Sequence, residues 1–202
     1  MQKIVQLSPA LLETSGLAEI DGQLFTINDS GDTSRVYKFN TNGELLDSYV
    51  LNEAINRDWE ALCSNNDTLF IGDIGNNFKW KDTLVIYMSK NQKRIGEVGD
   101  SYTNGKRYDC ESMIFYHDTL ILFTKNRKDG KSYLFGIPAQ SGFHTATLLD
   151  SIPFKGKITG ADFNESSGTL LLVGYRNFHP FIMVYDRCNP IQIRHSVYAT
   201  TT

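Results

Sequence analysis

Short apolar segments recur along the chain at a nearly regular interval. Four of them begin with leucine, continue with apolar residues and stop at a polar residue or glycine, namely LFTIND at 24–29, LFIGD at 69–73, LILFTK at 120–125 and LLLVGY at 170–175. Their starting points are 45, 51 and 50 residues apart. Because the last three are nearly continuous apolar runs, we expect strands that are covered on both faces. A spacing of this size indicates a repeat architecture.

Each of these segments has related neighbours, so that every repeat contains four predicted strands. The segments that come before them lie at 15–20, 58–63, 109–114 and 159–163. The third segments, which carry a Tyr or Phe, lie at 35–39, 84–89, 132–137 and 181–186. More variable fourth segments lie at 44–51, 94–102, 145–152 and 191–198. Short polar turns rich in Asp, Asn and Gly join the strands, as in antiparallel meanders.

Four units of four strands predict an all-β protein, specifically a β-propeller of about four antiparallel blades. A single blade cannot bury both of its apolar faces, whereas radial stacking buries each face against a neighbouring blade. A β-sandwich would give no reason for a period near 50. We therefore expect one propeller domain over residues 1–202, with units at approximately 10–52, 53–103, 104–153 and 154–202.

Two stretches leave alternatives open. Ile55, Trp59 and Leu62 fall at helical spacing, so a short helix over 53–62 competes with a loop that leads into a strand. The segment KIVQL at 3–7 is predicted to be a strand outside the four units. Such a strand would close a four-bladed ring, or else the chain is a portion of a larger propeller.

The charge and the cysteine content argue against several classes of function. The formal net charge of −3 and a pI near 5.8 argue against nucleic acid as the main partner. No apolar run approaches the roughly 20 residues of a membrane span. The three cysteines, at 63, 110 and 188, are too far apart for a CxxC zinc site, and we expect no disulfide framework.

The D-x-E pattern occurs twice, 51 residues apart, as Asp58–Glu60 and Asp109–Glu111. Residues at i and i+2 of a strand share a face, so each pair is predicted to point the same way. Both pairs precede a central strand at equivalent positions. We therefore expect four carboxylates to converge at one mouth of the propeller channel, where they would repel one another unless a cation lies among them.

Further polar residues follow the central strands and complete a predicted channel cluster. Its members are Asn28, Asp29, Arg57, Asp58, Glu60, Asp73, Asn76, Asn77, Asp109, Glu111 and Lys125, with Asn126 beside them. Carboxylate and amide oxygens suit Ca²⁺ or Mg²⁺, and the candidate metal ligands are Glu60, Asp73 and Glu111. In the alternative interpretation, Lys125 and Arg57 neutralise the carboxylates without a metal, and the asparagines serve turn formation.

Four elements of the sequence together resemble a largely uncharacterised family of bacterial β-propeller proteins, loosely akin to the SdiA-regulated and NHL-type propellers. The elements are NDSG at 28–31, DWE at 58–60, IGDIGNN at 71–77 and YDCE at 108–111, and the resemblance covers roughly residues 10–187. It implies a propeller with more than four blades. Members of this family are often exported, so the resemblance implies a periplasmic or extracellular protein whose signal is absent from this chain. The alternative is a cytoplasmic protein.

No sequence motif identifies a catalytic nucleophile or a positioned histidine base. The first hypothesis is therefore a non-catalytic binding propeller that recognises a protein, peptide or glycan, or a small-molecule ligand, through a loop-rich face. The alternative is a Ca²⁺-dependent hydrolase of the lactonase or phosphotriesterase kind, in which the metal polarises a carbonyl or phosphoryl oxygen.

Overall fold

The computed structural model describes residues 5–102, 105–125, 129–193 and 198–200. Its elements are sixteen β-strands and one short 3₁₀ turn at Pro9–Leu11, with no α-helix in these ranges. The all-β prediction is therefore confirmed. No helix of the described residues is long and apolar enough to cross a membrane.

The strands form four consecutive antiparallel meanders of four strands each, which we call units 1 to 4. Unit 1 contains β1 (Thr14–Ile20), β2 (Gln23–Asn28), β3 (Arg35–Phe39) and β4 (Leu45–Val50). Unit 2 contains β5 (Ala61–Asn65), β6 (Thr68–Asp73), β7 (Leu84–Lys90) and β8 (Lys93–Tyr102). Unit 3 contains β9 (Cys110–Tyr116), β10 (Thr119–Thr124), β11 (Lys131–Pro138) and β12 (Gly142–Pro153). Unit 4 contains β13 (Lys157–Asn164), β14 (Thr169–Arg176), β15 (His179–Tyr185) and β16 (Tyr198–Thr200).

Units 2 and 3 share one eight-stranded sheet. The outer strand β8 pairs in parallel with the outer strand β12, from Val98 opposite Gly142 to Tyr102 opposite Ala146. All other strand pairs are antiparallel. At the opposite side of each unit, the first strands β1, β5, β9 and β13 pack side by side in chain order. The first strands thus connect the four units in chain order.

Three apolar layers separate successive units, and strand alternation explains them. In β10, Leu120 and Leu122 face unit 2, whereas Ile121 and Phe123 face unit 4. Between units 1 and 2 the layer is centred on Trp59, which is fully buried. A central strand with apolar layers on both sides must be apolar at every position, as the sequence pattern indicated.

Of the two alternatives over residues 53–62, the loop that leads into a strand is observed and the helix is not, and three local predictions differ from the structure. Residues 53–60 form turns and loop without a helix, and β5 begins only at Ala61, so the predicted inner strand starts later than residue 58. Residues 5–7 form no strand, so the predicted strand at 3–7 is wrong over that part, whereas residues 3 and 4 lie outside the described ranges. Leu7 instead packs as a side chain on unit 1. The last strand of unit 4 is observed at Tyr198–Thr200, later than predicted, because a turn closed by a bridge between Asn189 and Gln192 comes first.

All three cysteines are free thiols. Cys110 is buried, and Cys63 and Cys188 are partly buried. Burial raises the pKa of the Cys63 thiol and that of Cys188. The prediction that the chain has no disulfide framework is confirmed.

Candidate functional site

One backbone hydrogen bond recurs at the start of the first three units and fixes equivalent positions among them. In each case a residue just beyond the second strand donates its N–H to a carbonyl just ahead of the first strand. The pairs are Asp29 to Glu13 at 2.9 Å, Gly75 to Asp58 at 3.2 Å and Lys125 to Asp109 at 2.7 Å. Two residues further along the first strand, the equivalent positions hold Ser15, Glu60 and Glu111. The predicted site residues therefore collect at one end of the first strands.

Glu60 and Glu111 are the carboxylates that reach the cavity between the units. Glu60 precedes β5, yet its N–H donates to the Gly72 carbonyl at 3.0 Å, so the ladder of β5 and β6 continues past the strand. Both residues are more than nine-tenths buried. The Lys125 ammonium lies 2.6 Å from Glu111 Oε1. Burial alone would lower the pKa of Lys125, but its contact with Glu111 raises it on balance.

A trio of carboxylates lies beside this ion pair. One carboxylate oxygen each from Asp29, Asp58 and Glu60 lies within 4.8 Å of the others. Burial is the largest cause that raises the pKa of Glu60, which reaches about 9. The negative charges of Glu111, Asp29 and Asp58 raise it further. Burial raises the pKa of Asp58 as well. The trio therefore favours a proton or another cation at neutral pH.

Asp73 is the most deeply buried carboxylate of the cluster, and its oxygens already bind protein donors. The Lys81 ammonium lies 2.7 Å from Oδ1, which also accepts the Asp58 N–H at 2.9 Å. The half-exposed Arg57 lies 3.4 Å from Oδ2. Asp73 thus holds the start of β5 in place through its contact with the backbone of Asp58.

The polar residues after β6 join units 2 and 3. The Asn76 N–H donates to Asp109 Oδ1 at 2.8 Å, and the Cys110 N–H donates to the Ile74 carbonyl at 3.3 Å. The Asn76 amide group also donates to the Lys81 carbonyl and accepts the Lys81 N–H. Asn76 therefore closes the loop that returns Lys81 to Asp73. Asn77 is exposed next to it.

Asn28, the last residue of β2, connects separate segments of unit 1. Its side-chain N–H groups donate to the Ala10 carbonyl at 2.9 Å and to Asp32 Oδ2 at 2.8 Å. The Asn56 side chain donates to the backbone carbonyls of Asn28 and Asp29, which ties the loop before β5 to the end of β2. Asn28 and Asn76 thus have structural contacts beyond turn formation, as each connects separate segments of the chain.

Gly75 leaves the space in which the trio forms. A Cβ atom at this position would overlap the Asp58 carboxylate and would lie 2.7 Å from Glu60 Cγ. At the equivalent positions units 1 and 3 carry the side chains of Asp29 and Lys125. Glycine in unit 2 therefore admits the Asp58 carboxylate where a larger side chain would exclude it.

The structure brings most of the predicted cluster together. Asp29, Asp58, Glu60 and Glu111 form its carboxylate centre, and Asp73, Asp109 and Asn76 surround it through hydrogen bonds and ion pairs. Of the three predicted metal ligands, Glu60 belongs to the trio, whereas Asp73 and Glu111 have lysine partners. Asn126 lies outside the described residues. Sequence reasoning missed Lys81 and Asn56, because neither belongs to a segment that repeats between units.

A cavity of about 880 Å³ adjoins the cluster. The four first strands line it, and Glu60 and Glu111 stand in its wall. Apolar residues from two outer faces complete the lining, namely Leu17, Leu24 and Phe39 of unit 1 and Leu171 and Val173 of unit 4. The site therefore combines a carboxylate group with an apolar chamber of ligand size.

No family model and no curated protein match this chain. In structure it is similar to the Kuenenia stuttgartiensis hydrazine synthase, with a TM-score of 0.49 and 7% sequence identity. The match covers 86% of this chain and 51% of that chain, so the chain spans about half of the length of the protein it matches.

Proposed function

We propose that this protein is a non-catalytic binding module with β-propeller architecture, in which each four-stranded unit is one blade of a single domain. Two observations support the architecture. The first strands pack side by side in chain order, and three apolar layers separate the units. The outer faces of units 1 and 4 carry exposed leucines, which suits either an incompletely closed ring or a portion of a larger propeller.

The acidic cluster is the recognition site of this proposal, and its ligand carries a cationic group. Six carboxylates meet three cationic side chains here, which leaves a formal excess of three negative charges when all are ionised. The cations lie nearest to Asp73 and Glu111. Glu60, with its raised pKa, is the centre at which an incoming cation would replace a proton.

A basic side chain of a protein or peptide fits this site better than a glycan does. A lysine ammonium or an arginine guanidinium forms charge-assisted hydrogen bonds with several carboxylates at once. The single observation that carries this conclusion is geometric: Glu60 lies in the cavity wall, and its carboxylate is within 4.8 Å of those of Asp29 and Asp58, so one cationic group can reach the whole trio. The raised pKa of Glu60 agrees with this, since burial and the neighbouring carboxylates disfavour its negative charge.

Calorimetric titration with Nα-acetyl-lysine amide and Nα-acetyl-arginine amide tests the proposal. We expect binding at pH 8 that is lost in Glu60→Gln and weakened by salt. The matched control is Glu165→Gln, whose carboxylate is exposed in the turn after β13, at the far end of the first strands. Absence of binding by the unaltered protein, or equal binding by both variants, would overturn the proposal.

A Ca²⁺-dependent hydrolase is the second candidate, and the carboxylate trio favours it. Asp29, Asp58 and Glu60 offer three oxygens within 4.8 Å of one another, and Ca²⁺ prefers such ligands. A bound Ca²⁺ would polarise a carbonyl or phosphoryl oxygen of a substrate. Thermal melting in EDTA and in millimolar Ca²⁺ tests for the ion, and a panel of lactones and aryl esters tests for turnover. Metal-dependent turnover that disappears in Glu60→Gln would reverse the ranking of the two functions.

A further inference from the structure

Among the residues that the structure describes, no neighbouring sheet covers one apolar face of unit 4. In β14, Leu170 and Leu172 are fully buried against unit 3. The alternate residues Leu171 and Val173 point to the opposite face and are 38% and 42% exposed. Ile182 of β15 is 45% exposed. Three aliphatic side chains in one sheet therefore remain in contact with solvent.

Unit 1 presents a second such face. Leu17 of β1 is 61% exposed, although Ala18 beside it is buried against unit 2. Leu24 and Phe39 lie on the same side as Leu17 and pack in a cluster with Leu7, in which Phe39 is buried and Leu24 is partly buried. The N-terminal segment thus shields the outer part of this face, while Leu17 stays open toward the cavity.

Leu17 of the first face and Leu171 and Val173 of the second line one cavity, and Glu60 and Glu111 of the acidic cluster stand in its wall. The volume of about 880 Å³ falls within the range of sites that hold small ligands and is too small for another sheet. Each first strand is also the edge of its sheet. An edge strand can pair with an extended peptide, and alternate side chains of that peptide then point to opposite faces of the sheet.

We propose that the ligand is a short extended peptide in which a basic residue is followed by apolar residues. The basic side chain binds at Glu60, and the apolar side chains lie between the face of Leu17 and that of Leu171 and Val173. This inference rests on the proposed function, because it assigns the rest of the ligand whose cationic group the acidic cluster binds. The charge of the cluster and the size of the cavity together select this occupant.

Two peptides of equal charge test the inference by calorimetric titration. The probes are acetyl-Lys-Leu-Val-Leu-amide and acetyl-Lys-Gly-Ser-Gly-amide. We expect the apolar peptide to bind at least about tenfold more tightly, because its apolar side chains are transferred from water into the cavity. Val173→Asn and Leu171→Asn should each reduce that ratio, and Glu60→Gln should weaken both peptides. The matched control is Leu148→Asn, whose side chain is exposed on the outer strand β12 outside the cavity lining.

The outcomes separate this inference from the function on which it rests. If both peptides bind equally in a Glu60-dependent manner, or if Val173→Asn leaves the ratio unchanged, the inference is wrong and the proposed function stands. If neither peptide binds, both are wrong. Light scattering provides a second measurement: a dimer that Leu171→Asn dissociates would show that another copy covers these faces, which would also overturn the inference. Circular dichroism confirms that each variant folds.

Discussion

Gly75 and Lys125 occupy equivalent positions in successive units, since each donates its backbone N–H to the carbonyl of the first aspartate in a D-x-E pair. The side chain of Lys125 turns to Glu111, the second acid of its own pair, and neutralises it at 2.6 Å. Glycine offers no such cation in unit 2, and the Asp58 carboxylate occupies the space next to Glu60. In unit 3 the carboxylate of Glu111 is therefore neutralised by an ion pair, whereas unit 2 has an excess of negative charge at the equivalent position.

Gly75→Ala should disrupt the trio. The added Cβ would overlap the Asp58 carboxylate and crowd Glu60, and overpacking of this kind typically costs about 1–3 kcal/mol. We expect a loss of unfolding free energy in this range together with loss of lysine amide binding. Chemical denaturation and calorimetric titration measure the two effects. Unchanged binding in a folded Gly75→Ala variant would contradict the assigned geometry.

Glu60→Gln should stabilise the protein at alkaline pH. The folded-state pKa of Glu60 is raised to about 9, above the ordinary value of about 4.3, so the folded state holds more protons between these values. Stability of the unaltered protein therefore falls as pH rises through this window, whereas glutamine does not titrate. We expect an advantage of at least about 1.4 kcal/mol for the variant at pH 8 in EDTA. The advantage should shrink by pH 5, and equal advantages at both pH values would refute this assignment.

Lys125→Met should be strongly destabilising because it leaves Glu111 buried without its cation. Removing one partner of a buried ion pair costs about 3–5 kcal/mol, and Glu111→Gln in the same chain should restore a large part of the loss. The raised pKa of Lys125 means that the pairing is fully present at neutral pH and fades only as pH rises above about 10.4. Chemical denaturation of both single variants and the double variant measures the coupling.

The control for this cycle is Lys90→Met. Its ammonium lies 2.8 Å from Asp67, but both side chains are largely exposed. Surface pairs contribute little to stability, because solvent screens them. Similar losses in Lys90→Met and Lys125→Met would show that burial of the Lys125 pair has no special effect.

Lys81→Met should cost more stability than Arg57→Met, although both residues face Asp73. Lys81 lies 2.7 Å from the carboxylate and is largely buried, whereas Arg57 lies at 3.4 Å and is half exposed. We expect a loss of about 2–4 kcal/mol for Lys81→Met and less than about 1 kcal/mol for Arg57→Met, measured by urea denaturation. The reverse order would mean that Arg57 is the principal partner of Asp73.

The strand arrangement within each unit could be predicted from local sequence. Residues 120–123 are apolar at every position because β10 has an apolar layer on each face, and that property is visible without a structure. The proximity of Glu60 and Glu111 followed from their equivalent positions in two repeats. The sequence repeat therefore predicted the four-stranded units and the proximity of these two carboxylates.

Features that do not repeat escaped prediction. Lys81 lies in the loop between β6 and β7, outside the repeated segments, and the hydrogen bonds of Asn76 help to return it to Asp73. The segment at 5–7 alternates like a strand, but side-chain packing of Leu7 determines its position. The parallel pairing of β8 with β12 joins residues more than 40 positions apart, and nothing in either segment identifies the other as its partner.

The parallel pairing of β8 with β12 affects how the molecule unfolds locally. Units 1 and 4 contact their neighbours through side chains and loop hydrogen bonds, whereas units 2 and 3 also share a continuous backbone ladder from Val98 to Tyr102. Amides inside such a ladder exchange with solvent only when both units separate. We therefore expect units 2 and 3 to unfold as one cooperative unit, whereas the two end units, on either side of the cavity, can fray independently.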